Sequence, residues 1–177
     1  MLHKRIISES FHFIIRGVVS LDQDTFIALA DQHKDTVYRV ALNYLGNTYD
    51  ADDIVQDVLL KLYTRNKHFE SDNHARYWLI RVTVNSCKDL LKSFWKSKNV
   101  FLEEVEVPII FEEPEQEDLY KAIMGLQEKY RTVLYLYYYE EYTIKEIAKL
   151  LKMKVSSVTT RLSRARNQLK EVWKDEE

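Results

Sequence analysis

The chain has 177 residues, 46% of them hydrophobic, which is enough to bury the core of one ordinary domain or two small ones. Three Gly and two Pro leave few turn residues for strands, while the abundant Leu, Lys, Glu, Tyr and Ile favour helix, so an all-α fold is expected. One cysteine, Cys87, excludes an intrachain disulfide and a cysteine-based zinc site, and the formal charge of −2 gives no sign of a nucleic-acid binder until its distribution is read.

Residues 1–20 form an N-terminal extension that carries no legible motif. His3, Lys4 and Arg5 precede a mixed stretch without an uninterrupted apolar core or a small-residue cleavage site, so a secretory signal is not expected. No apolar run reaches the roughly 18 residues of a membrane span, so no direct membrane insertion is expected. A first helical block covers residues 21–98. Asp22 or Asp24 can cap a helix with apolar positions Phe26, Ala30, Val37, Ala41 and Tyr44, and Gly46 ends it in a left-handed turn. A second helix starts near Thr48 with an acidic first turn, and Ile54, Val58 and Leu62 form its apolar row. After a polar stretch, a third helix runs from about His74 to Lys98. Ile80, Val84, Cys87, Leu91 and Phe94 make its core face, with Cys87 a buried thiol of a reducing cytosol. Arg81, Asn85, Lys88, Lys92 and Lys96 make a separate, mostly cationic stripe.

Residues 99–118 read as an extended acidic linker. They hold both prolines, and residues 101–118 carry eight acidic side chains with no Lys or Arg. The second block, residues 119–177, carries twelve Lys and Arg against eight acids. Leu119, Ile123 and Leu126 mark a short helix, and Tyr130 to Tyr139 another. Thr143-Ile144-Lys145-Glu146 reads as a capping box. A turn, Lys152 to Lys154, leads to Ser156 as the next cap and to a helix with apolar residues Val155, Val158, Leu162, Ala165, Leu169 and Val172. Two short helices about a tight turn, the second basic on its outer face, suit a DNA major groove. Ser157, Thr159, Thr160, Arg161, Ser163, Arg164 and Arg166 are the candidate DNA contacts. Hydroxyls bond base edges or phosphates, and Arg forks onto guanine.

Taken in order, four segments resemble bacterial RNA polymerase sigma factors of the sigma-70 family, extracytoplasmic-function class. Asp50 to Val58 resembles the family's core-polymerase-binding helix, and Tyr77 to Asn85 the start of its downstream-element helix. Leu126 to Arg131 resembles the opening of its last domain, and Ser157 to Arg166 its upstream-element recognition helix. The resemblance covers about Asp24 to Lys170. It implies a region 2-like bundle over residues 21–98 and a region 4-like helix-turn-helix over residues 119–177. It also implies a cytoplasmic protein that directs promoter-specific initiation at the minus-35 and minus-10 elements. Core RNA polymerase and promoter DNA are the implied partners, together with an anti-sigma factor. By the same resemblance Asp53, Gln56 and Asp57 would meet polymerase, and Arg81, Asn85, Lys88 and Lys92 would follow the downstream element. The stretch from Lys67 to Asn73 would hold a flipped base, with His68 and Phe69 able to stack on it, although a Phe at a loop end is more often core.

The sequence departs from the family's pattern in places. Lys152 stands where many members have a turn Gly, and Thr159 where Lys or Arg is common, which implies a different upstream sequence. Trp78 is followed by Leu79 rather than a second Trp, which implies weaker melting and stricter promoter choice. The alternative is a stand-alone helix-turn-helix regulator, which would need neither the Asp53, Gln56 and Asp57 group nor a second cationic stripe. An enzyme is not expected. The five His lie at unrelated spacings, and no phosphate-cradling Gly loop, metal-ligand pattern or nucleophile elbow is present, so neither a metal nor a cofactor is implied.

Overall fold

A computed structural model describes residues 21–65, 68–97 and 114–174. The expectations for residues 1–20, for most of the linker and for Lys67, and those on the side chains of Phe94, Lys96 and Val172, lie outside the described residues. Among the described residues all regular structure is helical: α1 (Gln23–Leu45), α2 (Thr48–Tyr63), α3 (Asp72–Ser97), α4 (Pro114–Met124), α5 (Glu128–Tyr138), α6 (Ile144–Leu151) and α7 (Val155–Lys174). None of these helices is long and apolar enough to cross a membrane.

Local chemistry sets the helix ends. The Asp22 carboxylate accepts the Thr25 N–H at 2.9 Å, and this bond holds its pKa below the usual carboxylate value. α1 stops at Gly46, whose φ of 82° is left-handed and whose N–H donates to the Leu42 carbonyl at 2.8 Å. Asn47 then caps α2 by accepting the Asp50 N–H at 2.9 Å. Pro114 opens α4, where its missing N–H costs nothing. The last five residues of the expected linker, 114–118, are therefore helical rather than extended. Ser156 is likewise not a cap. α7 begins one residue earlier, and the Lys154 carbonyl accepts the N–H groups of Ser157 and Val158.

Helices α1, α2 and α3 form a bundle around Val37, Val40, Ala41, Val58, Leu62, Leu79, Ile80 and Val84, all essentially inaccessible to solvent. Helices α5, α6 and α7 contribute Val133, Leu136, Ile147, Leu150, Val158 and Leu162 to the same continuous apolar cluster. A smaller cluster of Ile123, Leu126, Tyr130, Leu134 and Ala165 fixes α4 and α5 on α7. α5 packs against α1, and α6 against α3. The two sequence blocks thus share one core. Burying one Leu or Ile side chain contributes about 1.5–3 kcal/mol, so a shared core opposes free movement of the blocks.

Candidate nucleic-acid interface

Thr143 and Glu146 start α6 with a reciprocal cap. The Thr143 Oγ1 accepts the Glu146 N–H at 3.3 Å, and Glu146 Oε2 accepts the Thr143 N–H at 2.8 Å and the Thr143 hydroxyl at 2.6 Å. The bonds from Thr143 hold the Glu146 carboxyl below its ordinary pKa. α6 ends on Lys152, which sits left-handed at φ 55°, the conformation a turn Gly would take without cost. The Met153 N–H donates to the Ala148 carbonyl at 2.9 Å and closes the turn.

Val158, Leu162 and Ala165 then seat α7 on the core, while Val155 remains 47% exposed. On the opposite face Thr159, Thr160, Ser163, Arg164 and Arg166 are exposed, and Ser157 and Arg161 are half-buried at its edge. The Thr159 and Thr160 hydroxyls donate to the carbonyls four residues back, at 3.1 and 2.9 Å. Their oxygens remain able to accept. Arg166 Nε donates to the Tyr138 hydroxyl at 2.9 Å, and its guanidinium lies 5.5 Å from the Tyr137 and Tyr138 ring centres. Arg164 donates to the Tyr130 hydroxyl at 3.5 Å, which lowers the Tyr130 pKa. These aromatic partners hold two long side chains in place before any ligand arrives. Lys129, Tyr130, Ser156, Ser157, Thr160, Arg161 and Arg164 line an open cleft of about 350 Å³. Three cations among hydroxyls suit a phosphate-bearing strand.

The other predicted groups are placed less uniformly. On α3, Arg81 and Asn85 are half-buried, and Lys92 is exposed and paired with Asp89 at 3.1 Å. Lys88 instead donates to the Leu151 carbonyl of α6 at 3.4 Å, and burial lowers its pKa. On α2, Asp53 and Gln56 are exposed. Asp57 is engaged within the fold, accepting Lys61 Nζ at 2.6 Å and the Ser86 hydroxyl at 2.8 Å. In the loop before α3, His68 is exposed and Phe69 half-buried. Phe69 packs edge-on to Trp78 at 5.5 Å, with the Arg65 guanidinium 4.3 Å from its centre.

Arg76, Arg131 and Glu140 were not among the predicted residues, yet they join the blocks. Arg76 reaches Glu140 Oε2 at 2.7 Å, and Glu140 is only 4% exposed. Arg131 is buried and donates to three main-chain carbonyls, those of Asn43, Met124 and Leu126. An arginine inside the apolar run from Tyr130 to Leu134 was the available signal for it. Glu140 offered none, being one of two adjacent acids in a turn.

Residues 29–97 match the Sigma-70 region 2 family model, and residues 116–169 the Sigma-70, region 4 model. The chain is similar to the ECF RNA polymerase sigma factor SigW of Bacillus subtilis (strain 168), at 29% identity over 91% of this chain and 95% of that protein. The fold resembles that of the sigma factor RpoE solved with the anti-sigma factor NepR from Bartonella quintana. The TM-score is 0.68 and the identity 22%, over 86% of this chain and 96% of that one. It also resembles CnrH solved with the cytosolic domain of CnrY, with a TM-score of 0.61 and 22% identity over 89% of this chain and 92% of that one.

Proposed function

The chain belongs to the sigma-70 family, in its extracytoplasmic-function class, and from that premise we propose that it works as a promoter-reading subunit of core RNA polymerase through the residues described above. Its function is that of a sigma factor, which directs initiation and performs no chemistry of its own. The observation that carries the assignment of surfaces is the division of charge. An exposed acidic and polar edge on α2 (Asp53, Gln56) stands apart from the cationic, hydroxyl-bearing face of α7 (Ser163, Arg164, Arg166). The first suits basic and polar groups on a polymerase subunit. The second suits the upstream element, with Arg164 and Arg166 the side chains best placed for base or phosphate contact. Ser157, Thr159, Thr160 and Arg161 would border the same groove. Arg81, Asn85, Lys88 and Lys92 would follow the downstream element. Phe69 is held by Trp78 and Arg65, which supports a role in framing the flipped-base pocket rather than entering it.

Asp57 supports docking indirectly. Its bonds to Lys61 and Ser86 tie α2 to α3 and fix the edge that carries Asp53 and Gln56. An anti-sigma factor is the further partner proposed, on the likeness to two sigma factors solved with such proteins. Cytoplasmic residence follows from the same role.

The test mixes the purified chain with core polymerase and maps transcript starts on genomic DNA. New, chain-dependent start sites are expected. Asp53→Ala with Gln56→Ala should lose polymerase affinity while keeping full helicity, since both side chains are exposed. Starts that do not change when the chain is added would refute the function. Full polymerase binding by the double variant would refute the docking edge.

A further inference from the structure

Tyr137 and Tyr138 end α5 and lie outside the α7 residues assigned to DNA. Their rings stand at 80° with centres 5.0 Å apart and make a corner beside α7. The Arg166 guanidinium lies in that corner, 5.5 Å from both ring centres, and its Nε donates to the Tyr138 hydroxyl at 2.9 Å. Tyr138 is 52% exposed and Arg166 is exposed, so packing of the core does not account for the contact.

Direction separates Arg166 from its neighbours. Successive side chains on an α-helix are about 100° apart. Ala165 is fully buried and so marks the direction of the core. Ser163 then points about 160° away from the core, toward the floor of a groove that receives the helix. Arg166 stands only about 100° from Ala165, on the flank that meets the groove's wall, and the walls are phosphate. Donor chemistry agrees. Arg carries N–H donors on Nε and on both Nη atoms, and Tyr138 takes the one on Nε. The side-on fork that pairs Nε with an Nη is therefore lost to base reading. The Nη hydrogens remain, and so does the Tyr138 O–H, because its oxygen accepts from Arg166 and keeps its own proton to donate.

We infer that Tyr138 and Arg166 together form a seat for one backbone phosphate of the upstream element, with Tyr138 its second donor and Tyr137 the wall that holds the guanidinium. The occupant rests on the sigma-factor reading; the pinning of Arg166 does not. An exposed arginine loses rotamer freedom when it binds. Here that freedom is already restricted, so a phosphate meets a fixed cation and a hydroxyl together. The seat carries no sequence information, because every nucleotide presents the same phosphate. It sets the register of α7 and leaves Ser163 and the Thr159 and Thr160 hydroxyls to face base edges.

The test measures binding of the chain, complexed with core polymerase, to promoter duplexes in which single phosphates of the upstream element are replaced by neutral methylphosphonate. One position should weaken the unaltered chain and make no difference to Arg166→Ala. Tyr138→Phe keeps the ring and removes the hydroxyl. It should cost about five- to tenfold in affinity, equally across base-pair variants, and the loss should vanish on the duplex neutral at that position. Arg166→Ala should weaken all base-pair variants alike and reduce the salt slope by about 0.9. Both variants should keep the parent's helicity, since both side chains are exposed. In the free chain the Arg166 Nε–H, followed by NMR, should exchange faster in Tyr138→Phe than in the parent, and equal exchange would overturn the pinning. Phosphate sensitivity that survives both substitutions at every position would overturn the seat. So would relaxed base discrimination in Arg166→Ala, which would make Arg166 a base reader. Loss of polymerase binding without DNA would overturn it too, by making the occupant a protein carboxylate. A parent complex that selects no promoter would sink the sigma reading and the seat with it, whereas selective binding that both substitutions leave untouched would sink the seat alone.

Discussion

Arg131 and Gly46 determine one another. The left-handed turn at Gly46 ends α1 and exposes its last carbonyls, and Arg131 crosses from α5 to bond one of them. Its Nη2 atom lies 3.2 Å from where a Cβ on residue 46 would stand. Gly46→Ala is therefore disfavoured twice, by φ and by the approach of a buried cation. A loss of about 1–2 kcal/mol in urea unfolding is expected from the backbone alone. Arg131→Lys should cost about 2 kcal/mol or more, because one ammonium cannot match a planar fork aimed at three carbonyls. The two substitutions should be non-additive. Additive losses would mean that the two residues act independently.

The capping box of α6 supplies a pH test. Thr143 lowers the Glu146 pKa, so Glu146 is more acidic folded than unfolded. Its contribution is fully present above the ordinary glutamate value near pH 4.3 and is lost as pH falls through the depressed folded value. Thr143→Ala should cost about 1 kcal/mol at neutral pH and should return the Glu146 titration, followed by NMR, to its ordinary range. A depressed titration that survives the substitution would assign the shift to another cause.

For DNA, Arg164→Ala should weaken discrimination among upstream-element variants by about 1–3 kcal/mol if its contact is a fork onto a base. A phosphate contact would instead weaken all promoters alike and flatten the salt dependence. Measuring binding of the polymerase complex across promoter variants and salt separates these. Equal affinity and equal salt slope for variant and parent would remove Arg164 from the interface.

Cys87 should be chemically silent. Burial pushes its thiol pKa up to about 12, so almost no thiolate exists at pH 8. Alkylation by a thiol reagent should therefore proceed only through unfolding and accelerate with urea. Rapid labelling of the folded chain would contradict that burial.

What was legible beforehand followed from local rules. Gly46, the Thr143 and Glu146 cap and the Ile54, Val58 and Leu62 row act within a few residues of themselves, so pattern sufficed to find them. The outward face of α7 was legible for the same reason, since the spacing of Val158, Leu162 and Ala165 assigns the remaining positions to solvent. Asp57 and Lys88 were read correctly as lying off their apolar rows, but spacing does not say what occupies the space beyond. Ser86 and Lys61 take the first, and the Leu151 carbonyl takes the second.

By itself, then, the amino-acid order determined the helices, their caps and the families of side chain on each face, because helix periodicity and end effects operate over one or two turns. Only the tertiary structure decided that the two blocks close on a common core, and that Arg76, Glu140 and Arg131 bind them. Those pairings join residues 64 and 88 positions apart, and charge and hydrogen bonding at such separations depend on packing rather than on spacing along the chain.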